Sequence, residues 1–200
     1  MVILLDNGHG VTTPGKRSPD GRLLEWSYAR DIAKRIEHKL ANLGIEVRRI
    51  VPEQADVPLN RGKDSRVARV NAICREADVR DAILISIHCN AAGSDGKWHD
   101  ARGWSVFVAQ NASERSKQLA NLLFDEAKKA GLKMRQPLPT QKYWVQSLAI
   151  CRDTSCPAVL TENLFQDNLA DVEYLLSETG RETISELHVA AIMKFILLKA

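Results

Sequence analysis

The chain has 200 residues, 44% of them hydrophobic and 26% charged, which is enough to bury a full core without disulfide staples. Net charge is +3 and the lysines and arginines are dispersed rather than gathered into a stripe, so composition argues against a nucleic-acid partner. Its apolar runs fall well short of the roughly 18 residues of a membrane span, which excludes membrane insertion as an expectation.

Met1 to Leu5 forms an apolar run closed by Asp6 and reads as a buried strand over 1–6. No basic segment precedes it, so no signal peptide is read there and the export route is left open. Four glycines and two prolines make 7–22 a loop. Leu24, Tyr28, Ile32, Ile36, Leu40 and Leu43 recur at helical spacing, which predicts a helix over 24–43 with Gly44 behind it. Ile45 to Val51 alternates as a strand. A helix over roughly 60–77 follows, with Val67, Val70, Asn71 and Cys74 inward.

Ala82 to Ile87 is continuously apolar, as a strand buried on both faces requires. After a polar loop over 90–102, Trp104 to Ala109 reads as a strand. Ser113 caps a helix reaching about 130, ended by Gly131. Residues 131–156 look irregular, with a short strand at 148–150. Ala158 to Thr161 is a strand, and two helices over about 168–178 and 181–198, parted at Gly180, close the chain.

Strands alternating with helices predict one α/β domain over 1–200, a three-layer αβα sandwich with a mostly parallel central sheet. In such sheets ligand sites form beyond the carboxyl ends of strands. His9, His88 and Glu162 stand at such ends, and Glu25 opens a predicted helix. Two histidines and a carboxylate are the ligand set of a catalytic zinc that keeps one position for water, and a further carboxylate supplies a base. Taken singly, each of these motifs is ordinary: a Gly-His-Gly turn, a strand-end histidine, an acidic residue in a first helical turn. The four cysteines contain no CxxC and read as small buried thiols, with Cys89 facing away from His88.

In their order along the chain, these segments resemble the zinc-dependent N-acetylmuramoyl-L-alanine amidases. The family's Asp-Pro-Gly-His-Gly-Gly corresponds to Asp6-Asn7-Gly8-His9-Gly10-Val11, and its Ser-Ile-His-Ala-Asn-Ala to Ser86-Ile87-His88-Cys89-Asn90-Ala91. Its Leu…Arg-x-x-x-Ala-Asn corresponds to Leu59 and to Arg66 through Asn71. The segment Pro157 to Asn168 matches its Pro-Ala-Val-Leu-Val-Glu-x-Gly-Phe-x-Ser-Asn. Asn7, Val11, Leu164 and Asp167 depart from the pattern without touching a ligand position.

The resemblance implies one zinc per chain on His9, Glu25 and His88, with Glu162 as the catalytic carboxylate. Asp6 and Asn90 are candidates to orient a ligand imidazole. Arg102, Tyr143, Trp144 and Arg152 are candidates for a substrate groove. The implied reaction is hydrolysis of the amide joining N-acetylmuramic acid to L-alanine in peptidoglycan, at the bacterial cell wall. No long insertion separates His88 from Glu162, so no protein activator is expected. Two rivals stand beside this reading: a zinc peptidase on a similar scaffold, and a wall-binding domain without catalysis.

Overall fold

A computed structural model describes residues 1–76, 78–79 and 81–198. In chain order the elements are β1 (Val2–Asn7), α1 (Glu25–Ala41), β2 (Val47–Arg49), α2 (Arg66–Ile73), β3 (Ala82–Asn90), β4 (Ser105–Val108), α3 (Glu114–Lys129), β5 (Trp144–Val145), α4 (Ala149–Arg152), β6 (Ala158–Phe165), α5 (Leu169–Leu176) and α6 (Glu178–Leu197). The strands form one six-stranded sheet in the order β2-β1-β3-β6-β4-β5, parallel throughout except where β4 runs against β6.

Strand alternation divides the core into two layers. Ile3, Leu5, Ile83, Ile85, Ile87 and Val159 face one way and pack on α1, α3, α5 and α6. Leu4, Leu84, Ala158 and Leu160 face the other way, against Val67 and Val70 of α2 and Ile150 of α4. The second layer is thin, because α2 has 8 residues and α4 only 4. Asp6, His88 and Glu162 lie toward the carboxyl ends of β1, β3 and β6.

The chain leaves β1 for β2 on one side and returns to β3 on the other, so the order reverses between β1 and β3. That is where open α/β sheets place their sites. Register sets the level: Asn7 pairs with Ile87, and His88 with Glu162.

Several expectations shift. The run at 148–150 is not a strand. Ala149–Arg152 is one helical turn, and the short strand of this region is Trp144–Val145. Gly180 does not part the last two helices but lies inside α6. Ser177 is the joint, accepting from the Gly180 N–H at 3.0 Å and donating to the Tyr174 carbonyl at 2.7 Å. The helix expected over 60–77 is confined to Arg66–Ile73, and position 77 lies outside the described residues. Leu24 and Leu43, which bound the helix expected over 24–43, lie just outside α1 and are exposed. β3 and β6 run further than expected, so His88 and Glu162 lie within strands rather than past them. All four cysteines are free thiols.

Candidate metal centre

Three elements bring three side chains together. His9 follows β1, Glu25 opens α1, and His88 lies near the end of β3. Their donor atoms all fall within 4.8 Å of one another. Glu25 Oε1 lies 3.4 Å from His9 Nε2 and 3.1 Å from His88 Nδ1, and it accepts the Cys89 N–H at 3.0 Å. The imidazoles meet edge to face with centroids 4.9 Å apart.

Glu25 is fully buried, and its second oxygen, Oε2, has no hydrogen-bond partner among the described residues. Burial alone would raise its pKa, yet the two imidazoles hold it well below the usual carboxylate range. In return His88, whose burial favours the neutral ring, is raised by Glu25 beside it. An ionised carboxylate with an orphaned oxygen, buried between two imidazoles, is a site for a cation. One carboxylate oxygen thus lies 3.1 and 3.4 Å from two imidazole nitrogens, a group of donors that could hold a metal ion. The residues present fit the metal.

The approach of His9 to His88 requires the glycine before it. A Cβ on Gly8 would sit 2.4 Å from the His88 ring. His9 itself holds a left-handed backbone (φ 60°), which few non-glycine residues adopt. Two guanidinium groups fix that conformation. Arg66 donates to the His9 carbonyl at 2.9 Å, and Arg30 to the same oxygen at 3.0 Å. Arg66 is buried in α2 and also donates to Asp6 Oδ1 (2.6 Å), the Asn7 carbonyl (2.7 Å) and the Val57 carbonyl (3.0 Å). Asp6 thus serves the loop rather than an imidazole; its other oxygen takes the Ser86 hydroxyl at 2.5 Å. Asn90 Oδ1 accepts the Ala91 N–H at 2.9 Å, and its side chain makes no hydrogen bond to an imidazole among the described residues.

Glu162 stands opposite, on the strand paired with His88. Its Oε2 is buried and lacks a partner among the described residues. Burial pushes its pKa up to about 7, against the pull of His88, Lys16 and Arg135 and with the push of Glu25. A group that titrates near neutral can take up a proton and give it back. A bulge follows: His88 pairs with Glu162 but Asn90 with Phe165, so Asn163 and Leu164 oppose the single residue Cys89. Leu164 takes a positive φ of 66° there. Asn163, in the bulge, donates to the His88 main-chain carbonyl at 3.0 Å and to the Thr161 hydroxyl at 3.2 Å, and accepts from Trp104 Nε1 at 2.8 Å.

Two cavities adjoin these residues. One, of about 280 Å³, contains His9 and His88 and is walled by Val57, Pro58, Leu148, Ile150 and Leu160. The other, of about 490 Å³, is lined by the loop before Glu25, the loop after His88 and the residues after Glu162. None of the four groove candidates lines either. Arg102 is held by buried Asp171, and Arg152 by Asp153 and Ser147. Tyr143 packs against the core, and Trp144 stacks on Phe107 under Arg135. Sequence reasoning missed Lys16 and Arg135, whose charges reach Glu162, and the clamp formed by Arg30 and Arg66. Only Arg66 carried a signal, as part of a matched motif.

Comparison with known proteins returns a consistent set. Residues 3–194 match the family described as N-acetylmuramoyl-L-alanine amidase. The endolysin of Bacillus phage SPP1 is 28% identical over 200 residues, covering 99% of this chain and 67% of the endolysin. The N-acetylmuramoyl-L-alanine amidase AmiC of Neisseria meningitidis is 26% identical, and the chain covers only 52% of its length. Among solved structures, an N-acetylmuramoyl-L-alanine amidase from Clostridium difficile 630 superposes with a TM-score of 0.81 at 22% identity, covering 100% of this chain and 98% of that one. That likeness establishes the shared three-layer fold.

Proposed function

The chain belongs to the N-acetylmuramoyl-L-alanine amidase family, and from that premise we propose that it works through one zinc ion held by His9, Glu25 and His88. The reaction is hydrolysis of the amide between the lactyl group of N-acetylmuramic acid and the L-alanine of the stem peptide, within peptidoglycan or its muropeptide fragments. The observation that carries the metal reading is the buried, ionised Glu25 between two imidazoles, with one oxygen unsatisfied among the described residues.

A zinc ion held by His9, Glu25 and His88 would supply Lewis acidity, lowering the pKa of water to about 7 and polarising an amide carbonyl. The chain's own residues do the rest. Glu25 balances the cation's charge, and His9 and His88 present neutral nitrogens in orientations set by Arg30, Arg66, Gly8 and Asn163. Glu162 accepts a proton from the attacking water. As the carbon–nitrogen bond breaks and the carbon–oxygen bond forms, it returns that proton to the departing L-alanine nitrogen. The products are a lactyl carboxylate and a stem peptide with a free amino terminus. The substrate places the reaction at the bacterial wall, and no protein activator takes part in it.

Incubation of the isolated chain with muramoyl peptides, followed by mass spectrometry, tests this reading. Release of an intact peptide beginning at L-alanine is expected, and cleavage only between amino acids would instead establish a peptidase. Glu162→Gln should lower kcat by about 10²–10⁴-fold, the usual contribution of a general base, while metal content stays unchanged. Undiminished turnover in that variant would remove Glu162 from the mechanism.

A further inference from the structure

Away from the metal centre, two thiols meet near the amino end of β6. Cys74 caps the carboxyl end of α2, and Cys156 lies just before β6 begins at Ala158. Asn71 of α2 sets the contact between these segments. Its Nδ2 donates to the Asp153 carbonyl at 2.9 Å, and its Oδ1 accepts the Ser155 N–H at 2.8 Å and the Ser155 hydroxyl at 3.0 Å. Cys74 comes one helical turn after Asn71, on the same face, and Cys156 follows Ser155. The bonds that dock α2 on this segment therefore also bring the two cysteines together.

Both side chains pack on the core layer under α2 and α4, and both line one cavity of about 320 Å³. Arg75 and Ser155 line the same cavity and are exposed, so a small molecule reaches it from solvent. The thiols act on each other directly. Burial pushes the Cys156 thiol well up, and the charge and hydrogen bond of Cys74 push it further. The other two cysteines are set apart. Cys89 and Cys151 are 4% and 8% exposed, and neither lines this cavity. Cys151 is felt at Cys156 more weakly than Cys74 is.

We propose that Cys74 and Cys156 form a modification site, at which a small-molecule disulfide joins the two thiols into a staple between α2 and β6. One cysteine thiolate attacks a sulfur of the oxidant, forming a mixed disulfide and releasing half of the oxidant as a thiolate. The second cysteine then displaces the other half and closes the Cys74–Cys156 bond. The oxidant's sulfur–sulfur bond takes up the two electrons that the cysteines lose, and the two cysteine protons end on the two released thiols. The loop closed in this way holds β3, β4 and α3, and a cross-link over so long a loop strongly restricts the unfolded chain. It ties the helix that begins at Arg66 to the strand that carries Glu162, at the ends remote from those residues. Oxidation therefore raises resistance to heat and leaves the metal centre as it is. The proposal does not depend on the amidase reading.

The test is to incubate the folded wild-type chain with glutathione disulfide, block the remaining thiols by alkylation, and digest with trypsin without reduction. Trypsin places Cys74 in 70–75, Cys151 in 143–152 and Cys156 in 153–181, so mass spectrometry separates the possible pairings. The expected product joins 70–75 to 153–181, two hydrogens lighter than the free peptides together, with Cys89 and Cys151 recovered alkylated. The oxidised chain should melt about 5 °C or more above the reduced chain, and dithiothreitol should reverse the rise. In Cys74→Ser the oxidant should give no rise. A bond from 153–181 to 143–152 would overturn the proposal, as would glutathione adducts that never close. So would an oxidised wild-type chain that melts no higher than the reduced one, or a rise that persists in Cys74→Ser.

Discussion

Arg66 carries the most structural weight of any single side chain at this site. Its guanidinium bonds to Asp6, to the carbonyls of Asn7, His9 and Val57, and to Asp56, from a position 4% exposed. Lysine, a point charge with three donors, cannot reproduce that fork. Arg66→Met would leave the buried Asp6 carboxylate facing only Ser86. Removing one partner of a buried pair typically costs about 3–5 kcal/mol, more than the pair's own net worth, because the remaining charge is stranded. Urea unfolding should therefore show a loss of that order, and metal affinity should fall as His9 loses one of the two groups on its carbonyl. A stability change under 1 kcal/mol would mean that Arg66 is dispensable to the loop. In the folded protein Asp6 is held below its ordinary pKa by Arg66 and Ser86 despite burial, so this contribution weakens only in acid.

At the scale of the element, β6 carries both chemistry and strain. Leu164 is 3% exposed at φ 66°, where the related family has glycine. A left-handed conformation costs a branched residue about 1–2 kcal/mol, whereas removing a buried leucine side chain costs about 2–5 kcal/mol. Burial wins, so Leu164→Gly should destabilise by about 2 kcal/mol despite relieving the backbone; a rise in melting temperature would reverse that ranking. One residue before Glu162, Thr161 points to the opposite layer and lies 3.1 Å from His188 Nε2 of α6. His188 Nδ1 must donate to the Ile184 carbonyl at 2.7 Å, which in the neutral ring leaves Nε2 to accept the Thr161 hydroxyl. Burial lowers its pKa to about 4, against the Ile184 hydrogen bond. The unfolded histidine, with a pKa near 6.5, binds more protons between those values, so stability falls as pH drops from 6.5 toward 4. The loss should reach about 3 kcal/mol, and His188→Gln should flatten that part of the stability profile. An unchanged profile in the variant would place the acid sensitivity elsewhere.

Across the whole molecule, what the sequence made legible followed the length of its periodic signals. The alternation of strand and helix, the two-sided burial of 82–87 and the Ser113 cap are signals of many residues or of fixed chemistry, and each has its counterpart in the fold. Segment 131–156 was opaque because its elements have 2 and 4 residues, too few to show a period. The joint at Ser177 was hidden for a related reason, since one residue ends α5 and caps α6 with no loop between them. His9, His88 and Glu162 stood out as polar residues just past apolar runs, and Glu25 entered through the family resemblance. The groove candidates were chosen by residue type and, for Tyr143 and Trp144, by their place in an irregular segment. Sequence does not show that Arg102 is already committed to Asp171 and Arg152 to Asp153.

The account turns on the metal centre, so metal stoichiometry measured together with muramoyl-peptide cleavage tests it most directly. The expected result is one zinc per wild-type chain and little or none in His88→Ala. Cleavage should be lost on chelation and recovered on adding zinc back. Full cleavage by demonstrably metal-free protein would contradict it, and the buried Glu25 between its two histidines would then need another explanation.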